Sequence, residues 1–340
     1  MATNETYVMT SHNLLNYSGL LFSKGDTSTP FSTLIGGKSR TVNHWSFPCS
    51  LAFTPGGGVS QPAITESQSL TAPNPEFVAR TQNTNVVQIF QKALAISYGK
   101  LSTMGQLSGL NIAGAQANPA TELDFQVAAA LTALRSDLEY TFINGAYQDG
   151  NYDDVAYKTK GIVAAITTNT KAAGSAPLTF WLVAELIRAI AEGGAPTDNL
   201  TLCARPVNIM QLNADAAANG LTVVPASREV NGLKIDTLVT PFGAIGLLPV
   251  PKMAAGTAVL VNSAVCAPAY MPVPGKGNFF LEPLSKTGAA DKYQIYGQAG
   301  LDYGAEWYHG KITGLATTFT APEYNSSVRI VGTVETQAKT

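Results

Sequence analysis

The sequence predicts an α+β fold, and three observations carry that expectation. A segment from Asn118 to Gly145 repeats apolar residues at helical spacing, helix-like and strand-like pieces intermix from Gly161 to Val265, and an aromatic, alternating segment runs from 291 to 318. Helices and strands mixed over about 100 residues indicate a compact α+β or α/β lobe, with the other two segments outside it.

The first 60 residues hold only five charged side chains, Glu5, Lys24, Asp26, Lys38 and Arg40, among scattered Gly, Ser, Thr and Asn, and no strong helix is expected there. The segment reads as a disordered tail or as an extended arm that gains structure on a neighbour. Its aromatics, Tyr7, Tyr17, Phe22, Phe31, Trp45, Phe47 and Phe53, favour the arm, because disordered segments are poor in aromatics. Next comes the Gly/Pro-rich TPGGGVSQPAITESQSLTAPNPEF, then ARTQNTNVVQIFQKALAIS, where β-branched and aromatic residues suggest a long strand. Together they read as the outgoing and returning limbs of a projecting hairpin.

Asn118 followed by Pro119 marks a helix start, since proline at the first helical position loses no hydrogen bond. Leu123, Val127, Leu131, Leu134, Leu138 and Phe142 then form one apolar stripe, and Asn144-Gly145 supplies the stop. The helix is about 25 residues, roughly 37 Å, long. Asp137 and Glu139 are two apart and point about 200° from each other, so they cannot act as a carboxylate dyad on one substrate atom. A second helix is predicted for LTFWLVAELIRAIAEGG, a buried strand for LTLCA, and a third helix from Arg205-Pro206 to Asn219-Gly220. LTVVPAS, LKIDTLVT, AIGLLPV and TAVLVNSAV read as four strands, and residues 291–318 as one long bent strand with glycine bulges. The tail from Phe319 to Thr340 reads as a further strand with frayed end residues.

Charged residues make up 13% of the 340-residue chain, about half the ~25% usual in globular domains. Either copies of the chain cover much of its exterior, since interface cores are depleted in charge, or the surface is β-rich and Ser/Thr-covered, as in exported proteins. A net charge of -2 argues against a basic nucleic-acid-binding face, so contact with DNA is expected to be weak and non-specific. No apolar run is long enough for a membrane span, and MATNETYVMTSHNLLNYSG has neither the basic nor the apolar part of a signal peptide, which predicts synthesis in the cytoplasm. Cys49, Cys203 and Cys266 lie far apart and support neither a disulfide framework nor a metal site, so buried free thiols are expected.

The chemical motifs dissolve on inspection. GGKS at Gly36–Ser39 would need glycine where Ser32 stands to be a phosphate loop, and GGG at Gly56–Gly58 lacks a strand–GxGxxG–helix context. His12, His44 and His309 show no metal-ligand spacing, and no serine sits in a GxSxG elbow. No catalytic, cofactor-binding or metal role is assigned to any residue, and no enzyme activity is expected.

Three stretches carry a resemblance: NTNVVQIFQKALAIS (Asn83 to Ser97), LTALRSDLEYTFINGA (Leu131 to Ala146) and LDYGAEWYHGKITGL (Leu301 to Leu315). In this order and spacing the chain resembles a major capsid protein of a tailed bacteriophage, within a subfamily of the Hong Kong 97-type capsid fold that repeats NxxQIF-like, LxxDxEY-like and HGKITGL-like motifs. The match spans roughly Asn83 to Leu315; the first 80 residues match only in general character.

The resemblance implies an N-terminal arm at 1–45, an E-loop hairpin and connection at 46–117, a peripheral-domain spine helix at 118–160, an axial domain at 161–265, peripheral return strands at 266–318 and a C-terminal tail at 319–340. It implies a subunit that self-assembles as pentamers and hexamers into the icosahedral head shell of the virion, assembled in the bacterial host cytoplasm. A separate scaffolding protein, a portal at one vertex and packaged double-stranded DNA are the further partners. No cofactor and no membrane are involved. Tyr17, Phe22 and Trp45 on the arm side, and Gln88, Phe90 and Lys92 on the hairpin strand, are the expected intersubunit contacts, with a simple intrachain sheet as the other reading of the latter three. Asp137 and Glu139 would pair with basic residues of a neighbour or face solvent, and Tyr140 would pack. The alternatives from other classes are an exported bacterial surface protein and a soluble α/β enzyme.

Overall fold

The structure, a computed structural model, describes residues 27–54, 61, 63–72, 74, 77–99, 122–219, 223–286 and 288–319. The first element is one that composition hides. Pro30 at the first helical position opens α1 (Pro30–Ile35), which buries Phe31, Leu34 and Ile35. No strong helix is expected in this region, and α1 is a short one that the sequence does not signal: six residues are too few to show a periodic stripe, and what stabilises α1 is tertiary.

After β1 (Arg40–Thr41), β2 (Ser46–Phe53) pairs antiparallel with β3 (Arg80–Val86), from Ser46 opposite Val86 to Phe53 opposite Arg80. The outgoing limb of the hairpin is therefore Ser46–Phe53. The described residues between the two strands include 61, 63–72, 74 and 77–79. Among them the short α2 (Glu66–Ser69) is closed by a reciprocal cap in which Gln68 N donates to Thr65 Oγ1 and Thr65 N donates to Gln68 Oε1.

β4 (Gln88–Ser97) leaves the hairpin and pairs along β13 (Ala290–Asp302), from Ser97 opposite Ala290 to Gln88 opposite Ala299. This is the intrachain sheet. β11 (Ala267–Tyr270) and β12 (Phe279–Leu284) lie along the other side of β13, and β1 extends the five-stranded sheet beyond β11 in parallel. The long helix α3 (Glu122–Asn144) packs on β4 and β13. Its expected cap at Asn118-Pro119 lies outside the described residues. Leu134 and Phe142 of the stripe are buried and Leu123, Val127 and Leu138 are half-buried, whereas Leu131 remains 38% exposed.

The second sheet belongs to the lobe that begins with α4 (Ile162–Ala165) and β5 (Thr170–Ala172). α5 (Phe180–Glu192), β6 (Leu200–Ala204), α6 (Pro206–Ala218), β7 (Val223–Val230), β8 (Leu233–Thr240), β9 (Gly243–Pro249) and β10 (Ala258–Asn262) follow. The seven strands run in the order β5-β14-β10-β6-β9-β8-β7, with β14 (Gly310–Thr313) arriving from the end of the chain. Every residue of β6, the continuous apolar run LTLCA, is buried, as a central strand with both faces covered requires. α5 places Val183, Leu186, Ile187 and Ile190 against the sheet, with Thr179 Oγ1 accepting from Leu182 N at its start.

The segment 291–318 is thus two strands in two sheets. β13 ends at Asp302, Gly304 turns the chain with φ +61°, and a 3₁₀ turn at Glu306–Tyr308 delivers β14 to β10 and β5. A β-carbon at Gly304 would also meet the Val265 carbonyl oxygen at 2.8 Å, so this corner requires glycine twice over. Three apolar clusters result. The first gathers α1, the C-terminal half of α3, the five-stranded sheet and one face of the seven-stranded sheet through Cys203, Ile235, Leu248 and Val259, the second lies between α5, α6 and the other face of the seven-stranded sheet, and a small third holds Val42, Phe47, Val87 and Ala269. Cys203 and Cys266 are buried free thiols and Cys49 is a half-buried one, its thiol pushed up to about 12 by burial and by the Asp302 charge.

The exit from α3 is close-packed backbone. Gly161 N donates to Gly145 O at 2.9 Å, and a β-carbon on Gly161 would meet Gly145 N at 2.5 Å, Ile143 O at 2.7 Å and Thr141 O at 2.8 Å. None of these atoms belongs to a side chain that can move aside. Gly161→Ala is expected to destabilise the subunit by about 1–3 kcal/mol, read as a lower urea midpoint. Gly99→Ala, with open space around it, is the control expected to shift nothing.

Candidate functional site

Glu139 answers the question raised by its motif. The side chain is fully buried on α3 and faces the start of α1. Phe31 N donates to Oε1 at 2.8 Å, and Ser32 N and Ser32 Oγ donate to Oε2 at 2.7 and 2.5 Å. A helix leaves its first backbone N–H groups without partners, and here a carboxylate from a distant helix serves as the cap that Thr29, which makes no side-chain cap bond, does not provide. Burial pushes the Glu139 carboxyl above its usual range, against the opposing pull of the Ser32 and Phe31 donors and the Lys252 charge. Glu139 is therefore neither solvated nor open to a neighbour's cation, because its oxygens are already occupied within the subunit.

The other expected residues distribute unevenly. Asp137 pairs with Lys92 of its own chain at 2.7 Å, a half-exposed bridge worth at most about 1 kcal/mol. Phe90 is buried in the first core, and Gln88 Oε1 accepts from Thr159 N at 3.3 Å. Trp45 stacks on Tyr157, with ring centroids 5.0 Å apart and planes 8° from parallel. Tyr140, expected to pack, is instead 59% exposed, because it borders an open groove beside Arg205 and Pro251. Tyr17 and Phe22 lie outside the described residues.

Two hubs were not singled out by sequence reasoning. Asn85, in the NxxQIF-like stretch, is fully buried; its Nδ2 donates to Leu301 O at 2.7 Å and Lys160 O at 3.1 Å, while its Oδ1 accepts from Lys160 N at 2.8 Å. It ties the hairpin base to β13 and to the exit of α3. His309, in the HGKITGL-like stretch, is also fully buried. Asn262 N donates to its Nδ1 at 3.1 Å, so the proton sits on Nε2 and is donated to Tyr303 O at 2.7 Å. The ring joins the corner before β14 to the end of β10. The available signal was weak, a polar residue beside Val86-Val87 in one case and beside Trp307-Tyr308 in the other.

Burial lowers the His309 pKa from 6.5 to about 4, outweighing the Tyr303 carbonyl and the Glu306 charge, which favour the protonated ring. Between those values the unfolded chain binds a proton that the folded chain refuses. The contribution is complete above about 6.5 and is lost as pH falls toward about 4, amounting to roughly 3 kcal/mol. Urea titrations at pH 7 and pH 4.5 are expected to show this loss in the native sequence and a smaller one in His309→Gln. Equal losses in both would refute the assignment.

The hairpin presents the opposite situation. Leu51, Phe53, Ile64, Leu70, Phe77 and Val78 are all exposed, with Phe77 at 93%, and α2 buries nothing. Large apolar side chains exposed on and beside a two-stranded ribbon are the kind of surface on which contacts form, since such a ribbon does not sustain itself in water. Among the described residues no group of three His, Cys, Asp or Glu side chains is placed to hold a metal ion, and no helix is long and apolar enough to cross a membrane.

A family model described as SU10 major capsid protein matches residues 2–316. No curated protein matches the sequence. Among solved structures, a chain from the capsid asymmetric unit of cyanophage A-1(L) superposes with TM-score 0.60 at 11% identity, over 91% of this chain and 99% of that one. Mycobacterium phage Patience gives TM-score 0.56 at 11% identity, over 86% and 84%. The holo-SrpI encapsulin complex of Synechococcus elongatus PCC 7942 gives 0.56 at 12% identity, over 89% and 96%. At these identities the likeness speaks for the fold.

Proposed function

Because the chain belongs to the SU10 major capsid protein family, and so is a structural subunit of a phage head shell with the Hong Kong 97-type fold, we propose how its parts divide the work of assembly. The hairpin β2–β3 and its far end reach over an adjacent subunit, the lobe built on the seven-stranded sheet gathers around five-fold and six-fold axes as pentamers and hexamers, and the N-terminal arm at 1–45, anchored to its own subunit through α1, carries its first residues to a neighbour. The observation that carries this reading is the apolar surface of the hairpin, which stays exposed among the described residues. The exposed Leu131 on α3 and the low charge of the whole chain agree with it. Several modest contacts made at once give a closed shell its cooperativity.

A separate scaffolding protein and a portal at one vertex complete the proposal and rest on the sequence resemblance. Packaged double-stranded DNA is met by weak, non-specific contact, as a net charge of -2 implies. Negative-stain electron microscopy with light scattering, on the chain alone and coexpressed with the scaffolding protein, tests this reading. Closed shells, or pentameric and hexameric rings, are the expected result. A monomer under every condition would overturn it.

A further inference from the structure

A groove of about 540 Å³ runs between the C-terminal turns of α3 and the segment after β9, with Tyr140, Asn144, Arg205, Pro251, Lys252 and Met253 in its lining. That volume falls within the roughly 300–1,000 Å³ of sites that hold a ligand. Three features point to an occupant. Asn144 Nδ2 donates to Lys252 O at 2.8 Å, but its Oδ1 is buried with no partner, an acceptor waiting for a donor. Arg205 forms no ion pair among the described residues, whereas Asp137, on the same rim, is occupied by Lys92. Finally, Lys252 Nζ donates to Ser28 O at 2.7 Å, so the chain preceding residue 27 starts at the edge of this groove.

The residues that lead into that point are Leu20-Leu21-Phe22-Ser23-Lys24-Gly25-Asp26. At no more than about 3.3–3.6 Å per residue, Asp26 lies within about 7 Å of the Ser28 anchor, and Phe22 within about 20 Å. The chemistry of the segment suits the lining: an acid for the Arg205 guanidinium, and apolar residues for the tyrosine and proline. We propose that the groove is filled by the chain's own residues 20–26. Asp26 pairs with Arg205, a backbone N–H of the segment meets Asn144 Oδ1, and Phe22 lies against Tyr140 and Pro251. A segment tethered at Ser28 is present at an effective concentration in the millimolar range, which a second copy does not match before assembly. Only residues 1–19 would then be left to reach a neighbour. The inference does not depend on how subunits are arranged in the shell.

The test places p-benzoylphenylalanine at position 22 in light and heavy-isotope chains mixed before assembly, followed by irradiation and peptide mass spectrometry of both the unassembled and the assembled fractions. The expected products join position 22 to peptides containing Tyr140 or Met253 within one isotope, in both fractions. Arg205→Glu is expected to reduce their yield at least three-fold, and the swapped pair Asp26→Arg with Arg205→Glu to restore it. Products that join a light to a heavy chain would assign the groove to a neighbour's arm and overturn the proposal. So would products on other surfaces, or a yield indifferent to both charge variants. If the charge variants fail to fold, the position and isotope of the crosslink in the chain with native Arg205 decide the matter.

Discussion

Glu139→Ala is expected to lower the stability of the unassembled subunit by about 3–5 kcal/mol. Hydrogen bonds to a charged group are each worth about 1.5–3 kcal/mol, and a buried donor left without a partner costs its full desolvation. The substitution strands Phe31 N and Ser32 N together, and nothing at Thr29 replaces them. Because Phe31, Leu34 and Ile35 are buried only while α1 is docked, losing the cap loosens their burial as well. Glu139→Gln keeps the length and one acceptor oxygen but turns an NH2 group toward a donor, so it falls between. Ser32→Ala removes only the hydroxyl bond and is expected to cost about 1 kcal/mol. Urea midpoints should rank native, Ser32→Ala, Glu139→Gln, Glu139→Ala, with hydrogen exchange at residues 31–35 accelerating in the same order. A Glu139→Ala midpoint within error of native would show that α1 is held by its apolar side chains alone.

The role of Glu139 was not legible in the sequence, and the reason is separation. Its partners are 107 and 108 positions away, and no local pattern encodes such a pairing. A motif can show that Asp137 and Glu139 face different ways on a helix; it cannot show that one meets Lys92 and the other meets a six-residue helix with no stripe of its own. The lobe was legible for the complementary reason. LTLCA, the helix opened by Arg205-Pro206 and the strands around Gly232 and Gly243 are bounded by local turn and cap chemistry, and β6, α6, β8 and β9 fall where those signals place them. The stretch 291–318 shows the limit between the two. Its alternation continues across Gly304, so it reads as one strand, yet one left-handed glycine carries the chain from one sheet to another. The hairpin was read correctly as a projection, but its outgoing limb was assigned too late, because β2 contains Pro48 and a bulge that disguise its strand pattern.

Phe53→Asp combined with Phe77→Asp is expected to abolish shell formation while leaving the subunit folded. Neither ring belongs to a hydrophobic core, and both are largely exposed. Surface changes of that kind shift subunit stability by about 0.5 kcal/mol or less. In the shell the same rings would be covered, and burying a phenylalanine is worth about 1.5–3 kcal/mol. Losing both therefore removes roughly 3–6 kcal/mol per contact, a fall of about 10² to 10⁴ in association constant, before the cost of burying two carboxylates is added. Since every subunit repeats the contact, the threshold concentration for assembly rises beyond what a cell reaches. Light scattering and electron microscopy should find no shells at concentrations where the native chain forms them, with an unchanged circular dichroism spectrum and urea midpoint. Shells at native yield would mean that the hairpin's apolar face is not an assembly contact, and would shift the burden to α3, where the exposed Leu131 is the next residue to charge.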